Sequence, residues 1–232
     1  MVEIKGIEKF ASKDFPGYIS STLFLGGCNF SCPYCHNSDL ALRPETLPTY
    51  PIDDFIQFMD SRSGWLEGIC VSGGEPLLHD DLEMLLRLIK KRKLLVRIDT
   101  NGSFPSRLES LIKKQLVDNI AMDIKAPLGR YQEVTRSSVA VEDISNSIDI
   151  IKKSGLEYVF RTTAVPDLIG AGDIEEISKM LDGAKVFQLQ QFIPTNTIDS
   201  DFLQKKPYTR DVMKEFAKIA ESHFPEIRVE GI

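Results

Sequence analysis

Short apolar runs alternate with segments of helical period along almost the whole chain, and this alternation narrows the possible folds more than any other feature. Runs at 19–25, 68–71, 94–98, 120–124, 158–163 and 186–192, with a weaker one at 227–229, predict strands. Apolar residues spaced three and four apart predict helices at 52–60, 80–92, 105–115, 141–153, 173–181 and 209–222. Strand and helix in strict turn select an α/β fold with a parallel sheet and right-handed crossovers. Six such units form a curved sheet or an incomplete (β/α)6 barrel more naturally than a closed eight-stranded one. The chain has 232 residues, 42% of them hydrophobic and 27% charged, which suits one domain over 1–232, since one-domain α/β barrels run to about 200–250 residues. Residues 36–51, with Pro44, Pro48 and Pro51, read as a loop.

Polar and glycine residues gather where the strands end. The first strand runs into Gly27-Cys28-Asn29-Phe30-Ser31-Cys32-Pro33-Tyr34-Cys35-His36, the second into Ser72-Gly73-Gly74-Glu75-Pro76, and the third into Asp99-Thr100-Asn101-Gly102. The fourth ends at Asp123-Ile124-Lys125, the fifth carries Arg161-Thr162-Thr163, and the sixth is Gln188-Leu189-Gln190-Gln191-Phe192. Folds of this class place their sites at the carboxyl ends of the strands, so all six segments are expected at one mouth.

The cysteine loop, residues 26–37, is the strongest chemical signal. Its C-x3-C-x2-C spacing can bring three thiolates to one inorganic cluster, one short of the four that close a 4Fe–4S cubane, which leaves one iron open. Buried apolar thiols, or a zinc site completed by His36, are the plainer readings. Structural zinc usually comes with two separated ligand pairs, and the 3 His and 4 Cys here offer no second pair. Cys70, alone in the second strand, reads as a small hydrophobe.

Each remaining segment has a plain and a functional reading. Gly73 and Gly74 suit a tight turn or a backbone that must approach a ligand. Asp99 and Asp123 fit a metal site, an acid/base pair or helix caps. Arg161 lies inside an apolar run, where a charge is costly without an anion. Of Gln190 and Gln191, alternation lets only one face inward. His79 and His223 sit at helix ends as surface or cap residues, and Trp65 reads as core.

A net charge of −6 gives no footprint for phosphate-backbone binding, so no nucleic-acid partner is expected. The one basic run, Lys90 to Lys93, ends a helix and complements its dipole. No stretch approaches 18 apolar residues, and residues 1–5 lack a basic region followed by an apolar one, which points to the cytoplasm and away from a membrane. Three cysteines within eight residues read as ligands in a reducing compartment.

With Tyr34 just before Cys35, the cysteine loop resembles the signature of the radical S-adenosylmethionine (radical SAM) superfamily. The resemblance implies an incomplete α/β barrel and a 4Fe–4S cluster on Cys28, Cys32 and Cys35, whose open iron binds the amino and carboxylate groups of S-adenosylmethionine (SAM). It implies that Tyr34 lies near the adenine, that His36 and Asn37 after Cys35 bind the cofactor, and that Gly73, Gly74 and Glu75 bind the methionine amino group. Asp99, Thr100, Asn101 and Asp123 would lie near the methionine end, with Na+ or K+ at Asp99 and Asp123. Lys125 would approach the carboxylate or an incoming peptide, Arg161 would meet the cofactor or an acid, and Gln190 and Gln191 would line the ribose and adenine side.

Asp14-Phe15-Pro16-Gly17-Tyr18, Tyr34 to Asn37, Asp123 to Pro127 and Gln190-Gln191-Phe192 together resemble the activating enzymes of glycyl radical enzymes. Among these, the activases of anaerobic ribonucleoside-triphosphate reductase are most similar, followed by those of pyruvate formate-lyase. This implies a protein partner whose glycine loses a hydrogen atom, and flavodoxin or ferredoxin as electron donor. A His that some pyruvate formate-lyase activases carry on the last cofactor-binding strand falls at about Ile193 here, which leaves the target open. A radical SAM enzyme acting on a small molecule such as a deazapurine precursor, and a bare iron–sulfur electron carrier, are the alternatives.

Overall fold

A computed structural model describes residues 2–11 and 13–232. Met1 and Ser12, both inside the expected 1–232 domain, and Met1 also in the N-terminal stretch read for export, lie outside the described residues. The chain divides into two compact units: Met1–Asn29, Asp39–Thr100 and Phe104–Ile120 form the first, and Phe30–Ser38, Asn101–Ser103 and Ala121–Ile232 the second.

In the first unit the strands are β1 (Ile4–Glu8), β2 (Ser20–Leu25), β3 (Gly68–Gly73) and β4 (Leu95–Thr100). The helices are α1 (Ser38–Leu42, in this unit from Asp39 on), α2 (Ile52–Ser61), α3 (Leu82–Lys90) and α4 (Pro105–Lys113). β1 pairs antiparallel with β2, while β2, β3 and β4 run parallel in a register that aligns Thr22, Cys70 and Arg97. Alternation gives this sheet two unlike faces. Leu23, Leu25, Ile69, Val71, Val96 and Ile98 on one face are wholly buried, and Leu82, Leu85, Leu86 and Ile89 of α3, which packs on β4, are buried too. Each such side chain contributes about 1.5–3 kcal/mol of apolar burial. The other face carries Thr22, Cys70, Ser72, Arg97 and Asp99.

The second unit holds the end of β5 (Asn119–Asp123), α5 (Tyr131–Thr135), α6 (Val141–Lys153), β6 (Glu157–Ala164), α7 (Ala171–Met180), β7 (Val186–Gln191), α8 (Arg210–Ala220) and β8 (Glu226–Glu230). β6, β7 and β8 are parallel, with Thr163, Gln190 and Glu230 in one row. The Ile124 amide donates to the Arg161 carbonyl at 2.7 Å, so the residue after β5 is tied to β6. Among the described residues no helix is long and apolar enough to cross a membrane.

Every predicted strand and helix is present, and the structure corrects three readings. Residues 36–51 are not all loop, since they contain α1 and a 3-10 turn at Pro44–Thr46. β1 and α5, five residues each, are too short to show a period. Trp65 is 76% exposed in the turn after α2, where Phe55, Phe58, Met59 and Leu66 fill the nearby core. Helix α3 ends before the predicted Arg92 because Lys91 to Lys93 turn away, with Lys93 in the left-handed region at φ 59°.

Candidate functional site

The first unit supplies Cys28, Gly73, Gly74, Glu75, Asp99 and Thr100. Beyond β2, the Gly27 amide donates to the Leu40 carbonyl at 2.7 Å and the Cys28 amide to the Ala41 carbonyl at 3.2 Å. Helix α1, hidden in the predicted loop, therefore fixes the approach to Cys28. The end of β3 lies against this same stretch. The Gly74 amide donates to the Leu25 carbonyl and the Glu75 amide to the Gly27 carbonyl, both at 2.8 Å. Gly73 is at φ 119°, and a methyl group on Gly74 would collide with the Gly27 carbonyl oxygen. The glycine pair thus lets two strand ends touch through bare backbone.

Glu75 is fully buried, and its Oε1 accepts from the Leu77 amide at 3.0 Å and the Thr100 hydroxyl at 2.7 Å. Its carboxylate caps the turn Pro76–Leu78 and ties that turn to the end of β4. Asp99 Oδ1 accepts from Arg97 Nε at 3.0 Å, and both side chains are largely buried. His79 lies beside that turn, with Nε2 2.9 Å from the Gly26 carbonyl oxygen.

The second unit supplies Cys32, Tyr34, Cys35, His36, Asn37, Asn101, Asp123, Lys125, Arg161, Gln190 and Gln191. The Cys35 amide donates to the Cys32 carbonyl at 3.0 Å, a tight turn that holds these two thiols together. The loop is braced from outside. The Ser31 amide reaches the Thr135 carbonyl at 2.9 Å, the Phe30 ring meets Tyr131 edge-on, and the Asp199 amide reaches the Pro33 carbonyl at 2.9 Å. Asn196 Nδ2 donates to the carbonyl of the exposed His36 at 3.2 Å. None of these braces had a sequence signal, because α5 and residues 196–199 are too short and polar to show a pattern.

Asp123 accepts from Arg161 Nε at 2.7 Å and Lys125 Nζ at 3.0 Å. Burial works against its charge, but Arg161 and Lys125 outweigh it and hold the carboxyl well below the usual carboxylate range. Burial pushes the Cys32 thiol up to about 11, with Lys125 opposing. Burial also raises Cys35, against the Asn37 backbone N–H, and raises Tyr34. Lys125 and Asp123 act on all three groups, so within this unit the end of β5 and the cysteine loop share one electrostatic neighbourhood.

Asp123→Asn should remove the anion shared by the largely buried Arg161 and Lys125 and cost about 3 kcal/mol, as loss of one partner from a buried charge pair does. Urea unfolding would measure it. A loss under about 1 kcal/mol would make the pair a surface one in effect.

Asn101 Oδ1 accepts from the Ser103 amide at 3.0 Å and its hydroxyl at 2.6 Å, a closed local turn. Gln191 Nε2 donates to the Tyr208 carbonyl at 2.6 Å, so this residue holds the segment before α8. Gln190, on the opposite face, shares its side of the sheet with Thr163 and Arg161. Arg97 is the residue that sequence reading missed. Its signal was the one that marked Arg161, a charge inside an apolar strand.

Among the described residues no group of three or more His, Cys, Asp or Glu is drawn around a position for a single metal ion. A cubane asks for a different arrangement, with each thiolate on its own iron. Soft sulfur donors suit iron–sulfur chemistry, and thiols whose protons burial retains would give them up to a cationic iron. The donor set fits such a cluster.

The sequence matches the family model of the radical SAM superfamily over residues 22–181. A protein of Methanocaldococcus jannaschii provisionally named a glycyl-radical enzyme activating enzyme is 32% identical, covering 99% of this chain and 96% of its own. The pyruvate formate-lyase-activating enzyme of Clostridium pasteurianum is 26% identical over 88% of this chain and 87% of its own. A 7-carboxy-7-deazaguanine synthase of Clostridium acetobutylicum is 30% identical over 73% of each. In fold, the chain superposes on Streptococcus suis SuiB bound to S-adenosylmethionine with a TM-score of 0.69 at 16% identity. That match covers 88% of this chain and spans 48% of SuiB, about half its length.

Proposed function

The chain belongs to the radical SAM superfamily and, within it, to the glycyl-radical-enzyme activating enzymes, and from that premise we propose that its partner is anaerobic ribonucleoside-triphosphate reductase. The activase reading is carried by end-to-end similarity to an activating enzyme, over 99% of this chain. The choice of partner is supported by the resemblance of Asp123 to Pro127 and of Gln190-Gln191-Phe192 to the activases of anaerobic ribonucleoside-triphosphate reductase.

When bound, the family's 4Fe–4S cluster and SAM would supply one-electron radical chemistry directed at a hydrogen on a glycine Cα. Cys28, Cys32 and Cys35 hold the cluster. Gly73, Gly74 and Glu75 receive the methionine amino group, and Lys125 and Arg161 present positive charge to its carboxylate. Tyr34, His36, Asn37 and Gln190 serve the adenosine side. Asp99, with Thr100 and Asn101 following it, and Asp123 would serve the methionine end and a monovalent cation. No acid/base group is required, only positioning and exclusion of water. Flavodoxin or ferredoxin as donor, a cytoplasmic location, and one radical SAM domain over 1–232 belong to the same proposal.

A small-molecule substrate is the second reading, favoured by the 30% identity to a deazaguanine synthase. Stoichiometry separates the two. With reductant, SAM and the reductase large subunit, 5′-deoxyadenosine should stop near one per activated subunit. Sustained turnover without any protein partner, on a deazapurine precursor, would overturn the activase proposal.

A further inference from the structure

Arg107, in the first turn of α4, is a cation that the site described above does not include. Its Nη1 donates to the Leu77 carbonyl and to the Leu78 carbonyl, each at 2.9 Å, and its Nη2 donates to Asp80. The guanidinium also lies over the Phe104 ring, 5.4 Å from the ring centre. A cation at a helix N-terminus gains nothing from its own helix dipole, so its placement rests on these acceptors.

The carbonyls belong to the turn that Glu75 caps. The turn Pro76–Leu78 satisfies the Glu75 and Pro76 carbonyls by itself, through the Leu78 and His79 amides. The next two carbonyls go to Arg107, whose Nη1 has one N–H for each. Leu77 is thus held by both of its backbone polar groups: its N–H donates to Glu75 Oε1 at 3.0 Å and its carbonyl accepts from Arg107. The Thr100 hydroxyl fixes the same Oε1 at 2.7 Å, and His79 Nε2 joins the turn to the Gly26 carbonyl. One residue, Leu77, therefore links the guanidinium to the carboxylate.

We propose that Arg107 is a positioning residue that acts through the Leu77 backbone to hold Glu75 in place for the methionine amino group of SAM. This rests on the reading of Glu75 as a SAM ligand. The Arg107 side chain is 40% exposed, so removing its donors leaves the core filled, and the effect falls on the turn rather than on folding.

Arg107→Met keeps the stem and removes the donors, and Arg107→Lys keeps a charge without the planar fork. In the anaerobically reconstituted holoenzyme, SAM affinity read by calorimetry should fall about tenfold in Arg107→Met and by less in Arg107→Lys, because a small displacement of an orienting group weakens what it binds. Iron content and urea midpoint should stay native in both. A merely structural role would not depend on Glu75, whereas in a Glu75→Gln background Arg107→Met should add less than about twofold. Native SAM affinity in Arg107→Met, the full fall repeated on top of Glu75→Gln, or a matching loss of iron or of midpoint would overturn the proposal. If Arg107→Met does not fold by circular dichroism, the same cycle is run with Arg107→Lys, and native affinity or additivity there overturns it. Glu75→Gln that binds SAM as tightly as the native protein defeats the reading of Glu75 itself, whereas weak binding there with native binding in Arg107→Met defeats only Arg107.

Discussion

Replacing Cys32 by Ala is expected to abolish both the iron–sulfur cluster and reductive cleavage of SAM, while Cys70→Ala leaves both in place. Both cysteines are buried, so exposure does not separate them. Surroundings do. Cys32 lies in a braced turn with Cys35, under the field of Lys125, with a thiol that burial holds protonated until a cation displaces the proton. Cys70 is a strand residue aligned between Thr22 and Arg97. Loss of one ligand from three leaves a cubane with two protein bonds, whereas loss of a buried sulfur from a strand costs about 1 kcal/mol of packing. Cys28→Ala and Cys35→Ala should behave as Cys32→Ala does. Iron content after anaerobic reconstitution decides it: near four per chain for Cys70→Ala and close to none for the other three. The reverse pattern would move the cluster to another set of ligands.

Gly74→Ala should be strongly damaging for the addition of a single methyl group. Its methyl would meet a backbone oxygen, that of Gly27, and backbone cannot rotate aside as a side chain can. The two segments are held at this distance by the hydrogen bonds Gly74 to Leu25 and Glu75 to Gly27, so relief means breaking the join between β2 and β3. A cost of about 3 kcal/mol or more follows, with loss of cluster loading because Cys28 is the next residue after Gly27. Gly129→Ala is the control, since a methyl there meets nothing within 4 Å. Denaturant midpoints and iron content of the two variants measure the difference. Equal stability would mean that the glycine pair serves only a ligand.

The predicted elements that appeared are those whose pattern is long enough to read. Helix α6 matches its predicted bounds because Ile144, Ile148 and Ile151 repeat over 13 residues. Helix α1 did not stand out because five residues ahead of three prolines carry no period, yet it anchors the approach to Cys28. Trp65 misled because a large ring is expected inside, whereas the turn after α2 closes through the Trp65 amide bonded to the Arg62 carbonyl and leaves the ring outside. The site residues were legible as chemical types at strand ends. Their engagements were not: Glu75 spends its carboxylate on a turn and Gln191 its amide on Tyr208, which only packing decides. The tie of Arg97 to Asp99 stayed hidden because nothing local shows which acid a strand arginine meets.

The most direct test of the activase is paramagnetic resonance. The protein is incubated without oxygen with reductant, SAM and the large subunit of anaerobic ribonucleotide reductase from the same source. A glycine-centred doublet on that subunit is expected, and its splitting should collapse when the target glycine is deuterated at Cα. Robust cleavage of SAM with no glycyl radical on that subunit, nor on any other glycyl radical enzyme supplied, would contradict the activase and leave the small-molecule reading standing.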